Sequence, residues 1–172
     1  MSDGGRVTAE SVSGPGAMAT AERFAFTAGP SPADGDEGPD QIQIGALVGV
    51  SVLVVEDDPL SREALELILS YYGARVASAA SVSAALSCYE RHPPSVIVSD
   101  IGLPDDDGLV LMRTIRAREF GRGRRTPAIA ISGFPSRETS EHARGAGFDA
   151  FLPKPIDVGA LLRMVSSLTS PG

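Results

Sequence analysis

The stretch Val52-Leu53-Val54-Val55-Glu56-Asp57-Asp58-Pro59 decides the fold. Its four apolar residues run without alternation, which predicts a central strand covered on both faces rather than a half-solvated one. The acids end the run abruptly, and Asp58-Pro59 offers a helix N-cap and a proline at the first helical position. Leu60, Ala64, Ile68 and Tyr71 follow at spacings of four, four and three, a helical stripe that Gly73 closes.

Working outward, the same alternation recurs downstream. Strands are predicted over 75–79, 96–98, 128–131 and 150–152, and helices over 81–91, 108–118, 136–146 and 158–168. Gly147 stands just past one helix end, where a left-handed cap suits glycine. Five strands alternating with five helices imply parallel pairing through right-handed crossovers. The predicted fold class is a doubly wound α/β sandwich on a five-stranded parallel sheet.

Upstream, residues 1–46 are rich in Gly, Ala, Ser and Pro and carry seven acids against two arginines, −5 of the total net charge of −7. Too little apolar surface is available there to offset the entropy of ordering, so this tail is predicted to be disordered and dispensable for folding. Phe24 and Phe26 are its only aromatic residues, candidates for transient docking. The folded unit is expected over 47–169. A negative net charge argues against a dedicated nucleic-acid binder. The longest nearly apolar stretch, from Ile44 to Val55, is about a dozen residues, short of the roughly 20 that a membrane span needs. No basic start with an apolar run opens the chain, so a cytoplasmic location is expected. A single cysteine, Cys88, excludes an internal disulfide and reads as a buried, inert thiol.

In a sheet of this kind the functional crevice lies at the carboxyl ends of the strands. Glu56-Asp57-Asp58 ends the first strand, Asp100 the third and Ser132 the fourth, and the fifth runs into Lys154. Clustered carboxylates repel one another, and a hard divalent cation such as Mg²⁺ offsets them best. With such an ion and Lys154 neutralising charge, Asp100 can attack a phosphoryl donor. Lys154 and the Ser132 hydroxyl would hold the phosphoryl oxygens. Singly, each residue also has a structural reading: Asp58 as a helix cap, Asp105, Asp106 and Asp107 as solvated loop acids, Ser132 as a turn hydroxyl. Lys154 stands apart because it is the chain's only lysine among 15 basic side chains. A compact ammonium is therefore needed where arginine serves everywhere else. Pro153 and Pro155 stiffen its turn, and a cis Lys154-Pro155 bond would aim the amine inward.

These motifs resemble the receiver domains of bacterial response regulators: Val54 to Asp58, Asp100 to Gly108, Ile131-Ser132-Gly133, and Phe151 to Pro155. The wording around Asp100 and from Phe148 to Lys154 is most similar to receivers fused to hybrid histidine kinases. The resemblance implies a flavodoxin-like (βα)5 fold and two-component signal transduction. It makes Asp100 the phosphoacceptor, Asp57 a direct Mg²⁺ ligand, Glu56 a ligand through water, and Gly102 a donor of its backbone carbonyl. It makes Ser132 and Phe151 the switch pair, Gly133 the small residue admitting the donor, and Lys154 the essential lysine. Phe151 stands where many relatives have Tyr, so the switch would lack that hydroxyl. Gly102 and Phe134 occupy the places that govern phosphate lifetime; Gly102 offers nothing to orient water, and Phe134 could cover the phosphoryl group or pack on the next helix. The implied partners are a histidine kinase or histidine phosphotransfer protein and an unknown downstream protein, with no direct nucleic-acid contact and no membrane insertion.

Two other readings compete. A pseudo-receiver would keep the fold as an interaction module and lose phosphorylation, but usually also an acid or the lysine, and all are present. A haloacid-dehalogenase-like phosphatase would need a second Asp two residues after Asp100, where Gly102 stands. A histidine kinase core is excluded by the absence of an ATP-binding region, and His92 and His142 read as surface residues. The arginine run from Arg113 to Arg125, six Arg against Glu119, reads as a solvated loop opposite the active end. With only a few residues after Leu168, output is expected through protein contacts or phosphotransfer rather than as an enzyme.

Overall fold

The computed structural model describes residues 42–104 and 107–170. Five strands alternate with five helices: β1 (Ser51–Val55), α1 (Pro59–Tyr71), β2 (Arg75–Ala79), α2 (Val82–Arg91), β3 (Val96–Asp100), α3 (Gly108–Glu119), β4 (Ala128–Ser132), α4 (Arg137–Ala146), β5 (Ala150–Pro153) and α5 (Val158–Thr169). All pairings are parallel, in the order β2-β1-β3-β4-β5. The doubly wound α/β expectation is met.

Because successive side chains of a strand point to opposite faces, each unbroken apolar run feeds two cores. Leu53, Val55 and Ile97 join α2, α3 and α4 through Ala85, Met112, Ile115 and Ala143. Val52, Val54, Val96 and Ile129 join α1 and α5 through Leu65, Leu69, Leu161 and Val165.

Helix α1 is where predicted, with Asp58 as N-cap accepting from the Ser61 N–H at 2.7 Å. Its buried face is different. Leu65 and Leu69 enter the core, whereas Leu60 and Tyr71 of the predicted stripe are 76% and 61% exposed. Leu60, Ala64, Leu67 and Tyr71 thus form an outward apolar row at helical spacing. Asp107 is also more than a loop acid, since it caps α3 by accepting from the Leu109 N–H at 3.0 Å. Asp105 and Asp106 lie outside the described residues.

The expected start of the folded unit at residue 47 falls inside packed structure. Turns over 44–49 precede β1, Ile42 packs on the α1–α5 core, and Leu47 is fully buried there with its N–H bonded to the Tyr72 carbonyl at 2.9 Å. The tail expectation for residues 1–41 lies outside the described residues. A Leu47→Ala variant is expected to lose about 2–5 kcal/mol of unfolding free energy in urea titration, the usual cost of truncating a buried leucine. A loss under about 0.5 kcal/mol would show that the turn does not contribute to the core. Cys88 is half-buried against the α2 core rather than enclosed, and His92 and His142 are exposed as expected.

Candidate functional site

Strand order reverses between β1 and β3, so the loops leaving their carboxyl ends diverge and open a crevice. Glu56 and Asp57 follow β1 and Asp100 ends β3, each delivered to that crevice by its strand. Carboxylate oxygens of the three lie within 4.8 Å of one another. Glu56 and Asp100 are 1% and 7% exposed, and Asp57 is the most accessible.

Lys154 reaches this cluster from β5, and the Lys154-Pro155 bond is cis. Its ammonium donates to Glu56 Oε2 at 2.9 Å and to Asp100 Oδ2 at 2.5 Å. The other Asp100 oxygen accepts from the Gly102 N–H at 2.8 Å. Burial pushes the Glu56 carboxyl above its ordinary value; the Asp100 charge adds to this, and the bond from Lys154 offsets only part. Burial works against the Lys154 ammonium too, but its bonds to Asp100 and Glu56 outweigh that and raise its pKa, so it stays charged.

Ser132 is buried at the end of β4, its carbonyl accepting from the Lys154 N–H at 2.8 Å and its hydroxyl from the Phe134 N–H at 3.2 Å. At Gly133 an added Cβ would meet nothing within 4 Å, so the approach past Ser132 is open. Phe151 is half-buried against the α2–α4 core. Phe134 departs from both expectations, for its ring is 88% exposed and stands in solvent instead of over Asp100 or against α4.

Two contributors had no role assigned from the sequence. Arg62, one turn into α1, donates to the carbonyls of Glu56 at 2.8 Å and Asp57 at 3.1 Å and pins the acidic loop. Gly108 is packed so closely that a Cβ would sit 2.3 Å from the Asp100 carbonyl oxygen, so only glycine lets α3 start beneath the site. The crevice thus brings a desolvated carboxylate and a fixed cation together, with buried Ser132 at the end of the adjoining strand β4.

A family model described as the response regulator receiver domain matches residues 52–166. The chain belongs to this family. It is 39% identical over 119 residues to an uncharacterized 14.6 kDa protein of Leptolyngbya boryana, covering 69% of this chain and 89% of that one. It is 35% identical to the response regulator protein PilR of Pseudomonas aeruginosa, over 67% of this chain and 25% of PilR. It is 36% identical to the virulence sensor protein BvgS of Bordetella bronchiseptica, over 66% of this chain and 10% of BvgS. Against those two the chain spans a quarter and a tenth of the relative's length. Among solved structures, a response regulator receiver protein from Pseudomonas putida aligns with a TM-score of 0.63 at 32% identity, covering 69% of this chain and 96% of that one. A Francisella response regulator receiver domain aligns with a TM-score of 0.64 at 27% identity, covering 70% and 96%. As a receiver domain of two-component signalling, the chain is a signalling module, and the haloacid-dehalogenase reading falls away.

Proposed function

We propose that this receiver accepts a phosphoryl group on Asp100 from a phosphohistidine of a histidine kinase or phosphotransfer protein. The observation that carries this is the Lys154 ammonium set between Glu56 and Asp100. An Asp100 oxygen attacks phosphorus, the C–O–P bond forms as P–N breaks, and the departing imidazole nitrogen takes a proton. Before attack, Lys154 holds the Asp100 carboxylate; afterwards it and the Ser132 hydroxyl hold phosphoryl oxygens. Three carboxylates facing one ammonium leave surplus negative charge, which fits a hard, oxygen-seeking ion such as Mg²⁺. Glu56, Asp57, Asp100 and the Gly102 carbonyl would hold that ion, which when bound supplies further charge neutralisation. The outward apolar row of α1 begins at Leu60, next to the acidic loop, and runs down the helix to Tyr71, a surface of the kind an amphipathic partner helix would cover. A cytoplasmic setting accompanies this reading, and among the described residues no helix is long and apolar enough to cross a membrane.

With Mg²⁺ and a small phosphodonor, the chain is expected to gain one base-labile phosphoryl group, lost in Asp100→Asn and on chelation. Equal labelling of Asp100→Asn by intact-mass measurement would rule out this acceptor; no labelling of the wild type would favour the pseudo-receiver reading.

The acyl phosphate is expected to be long-lived. Hydrolysis needs a water aligned with phosphorus, and Gly102 has no side chain to place one. A Cβ at Gly102 would lie 3.5 Å from Asp100 Oδ1, an ordinary contact, so Asn fits there. The variant Gly102→Asn, Phe134→Glu should decay about tenfold faster, roughly 1.4 kcal/mol of barrier. An unchanged decay rate in a folded variant would remove both positions from control of that water.

A further inference from the structure

The end of the sheet opposite Asp100 carries a group of basic side chains. Arg75 opens β2, Arg91 and His92 close α2, and Arg122 and Arg124 lie in the loop into β4. The acids of this pole are already engaged: Glu90 by Arg118, Glu119 by Arg116, and Asp149 by Arg116 and Arg125. Among the described residues, the Arg75 and Arg122 guanidiniums make no hydrogen bond or ion pair, while Arg124 is spread over the Pro93 and Pro94 carbonyls. Two grooves meet there at Pro93. One, of about 710 Å³, runs beneath the end of α2 past Leu53, Ala77 and Cys88, with Arg75, Arg91 and His92 along it. The other, of about 300 Å³, includes Arg118 and Arg122.

The same chain carries a matching anion. Residues 1–41 hold seven acids against two arginines, a charge of −5, and the total of −7 leaves −2 for residues 42–172. Four of those acids, Asp34, Asp36, Glu37 and Asp40, fall within eight residues of Ile42. From Ile42 the turns lead to Val50, whose carbonyl accepts from the Arg75 N–H at 2.9 Å, so this strand entry lies beside the basic groove. Eight extended residues reach roughly 26 Å at ~3.3 Å each, about the width of a small domain.

We infer that the acidic segment 34–40 docks in cis on this basic band, covering the Cys88 groove. The tether supplies an effective concentration on the order of millimolar, so weak ion pairing suffices to hold it. Such contacts are screened by salt, since the Debye length falls to about 3 Å at 1 M. This inference is independent of phosphorylation at Asp100.

Cys88 is the chain's only thiol and serves as the reporter. In the full-length protein, neutral iodoacetamide should alkylate Cys88 at least threefold faster in D34N/D36N/E37Q/D40N than in wild type. The double variant Arg75→Glu, Arg122→Glu should show a similar gain, and 1 M salt should bring wild type up to the variants. Equal rates in wild type and the neutralised variant at low salt would overturn the inference. Protection of Cys88 that grows with protein concentration would overturn it as well, by assigning the band to a second chain.

Discussion

Replacing Lys154 with Met is expected to slow phosphorylation of Asp100 about a hundredfold while leaving the fold intact. Among the described residues, Lys154 is the one cation bonded to both buried carboxylates, at 2.5 and 2.9 Å. Removing one preorganised donor from a developing oxyanion typically costs 10² to 10³ in rate. Lys154→Arg should fail to restore it, because a planar guanidinium cannot take the place of a compact ammonium between two carboxylates. Labelling rates with a small phosphodonor, alongside circular dichroism, decide the matter; wild-type rates for both variants would return Lys154 to a surface role. The pH dependence has a definite sign. The Glu56 carboxyl is raised, so its contribution to stability is present below the ordinary value of 4.5 and is lost as pH rises through the folded value. Without Lys154 that value rises further, so the stability deficit of Lys154→Met should be largest near neutrality and shrink in acid.

At the opposite pole, Arg116→Met is expected to destabilise the domain by about 3–5 kcal/mol, the usual result of stripping one partner from a buried ion pair. The arginine run had read as a solvated loop, yet Arg116 ties three segments together. It donates to Glu119 at 2.5 Å, to the Thr126 carbonyl at 2.9 Å, to the Gly147 carbonyl at 3.0 and 2.8 Å, and to Asp149 at 3.2 Å. Glu119 is 8% exposed and also accepts from the Tyr89 hydroxyl at 2.8 Å and the Thr126 N–H at 2.7 Å. Burial alone would raise the Glu119 carboxyl, but bonds from Thr126, Tyr89 and Arg116 outweigh it and lower the pKa. Its contribution is therefore present above the ordinary value of 4.5 and lost as pH falls through the lower folded value. Adding Glu119→Gln to Arg116→Met should recover part of the loss. Urea unfolding at pH 7 that finds Arg116→Met within 1 kcal/mol of wild type would show that the network carries little.

By itself the sequence determined the elements and the residues that gather at the strand ends. Val52 to Val55 could only be a strand buried on both faces, Asp58-Pro59 could only begin a helix well, and the lone lysine singled out Lys154, which the structure places on Glu56 and Asp100. These are local facts: backbone dihedrals, capping and side-chain shape act within a few residues. Strand ends then collect Glu56, Asp57, Asp100, Ser132 and Lys154 by topology alone. Which surface each element buries was decided by the tertiary structure. Helix α1 carries two apolar rows, and only the neighbouring β1 and α5 choose Leu65 and Leu69 over Leu60 and Tyr71. The same holds for Leu47 as a buried member of the core rather than its boundary, for Phe134 turned to solvent, and for Arg116. Arg116 is drawn into the interior by buried Glu119 together with Gly147 and Asp149, the last two more than 30 positions away in the chain. Burial and ion pairing are set by groups distant in sequence, and no local period encodes them.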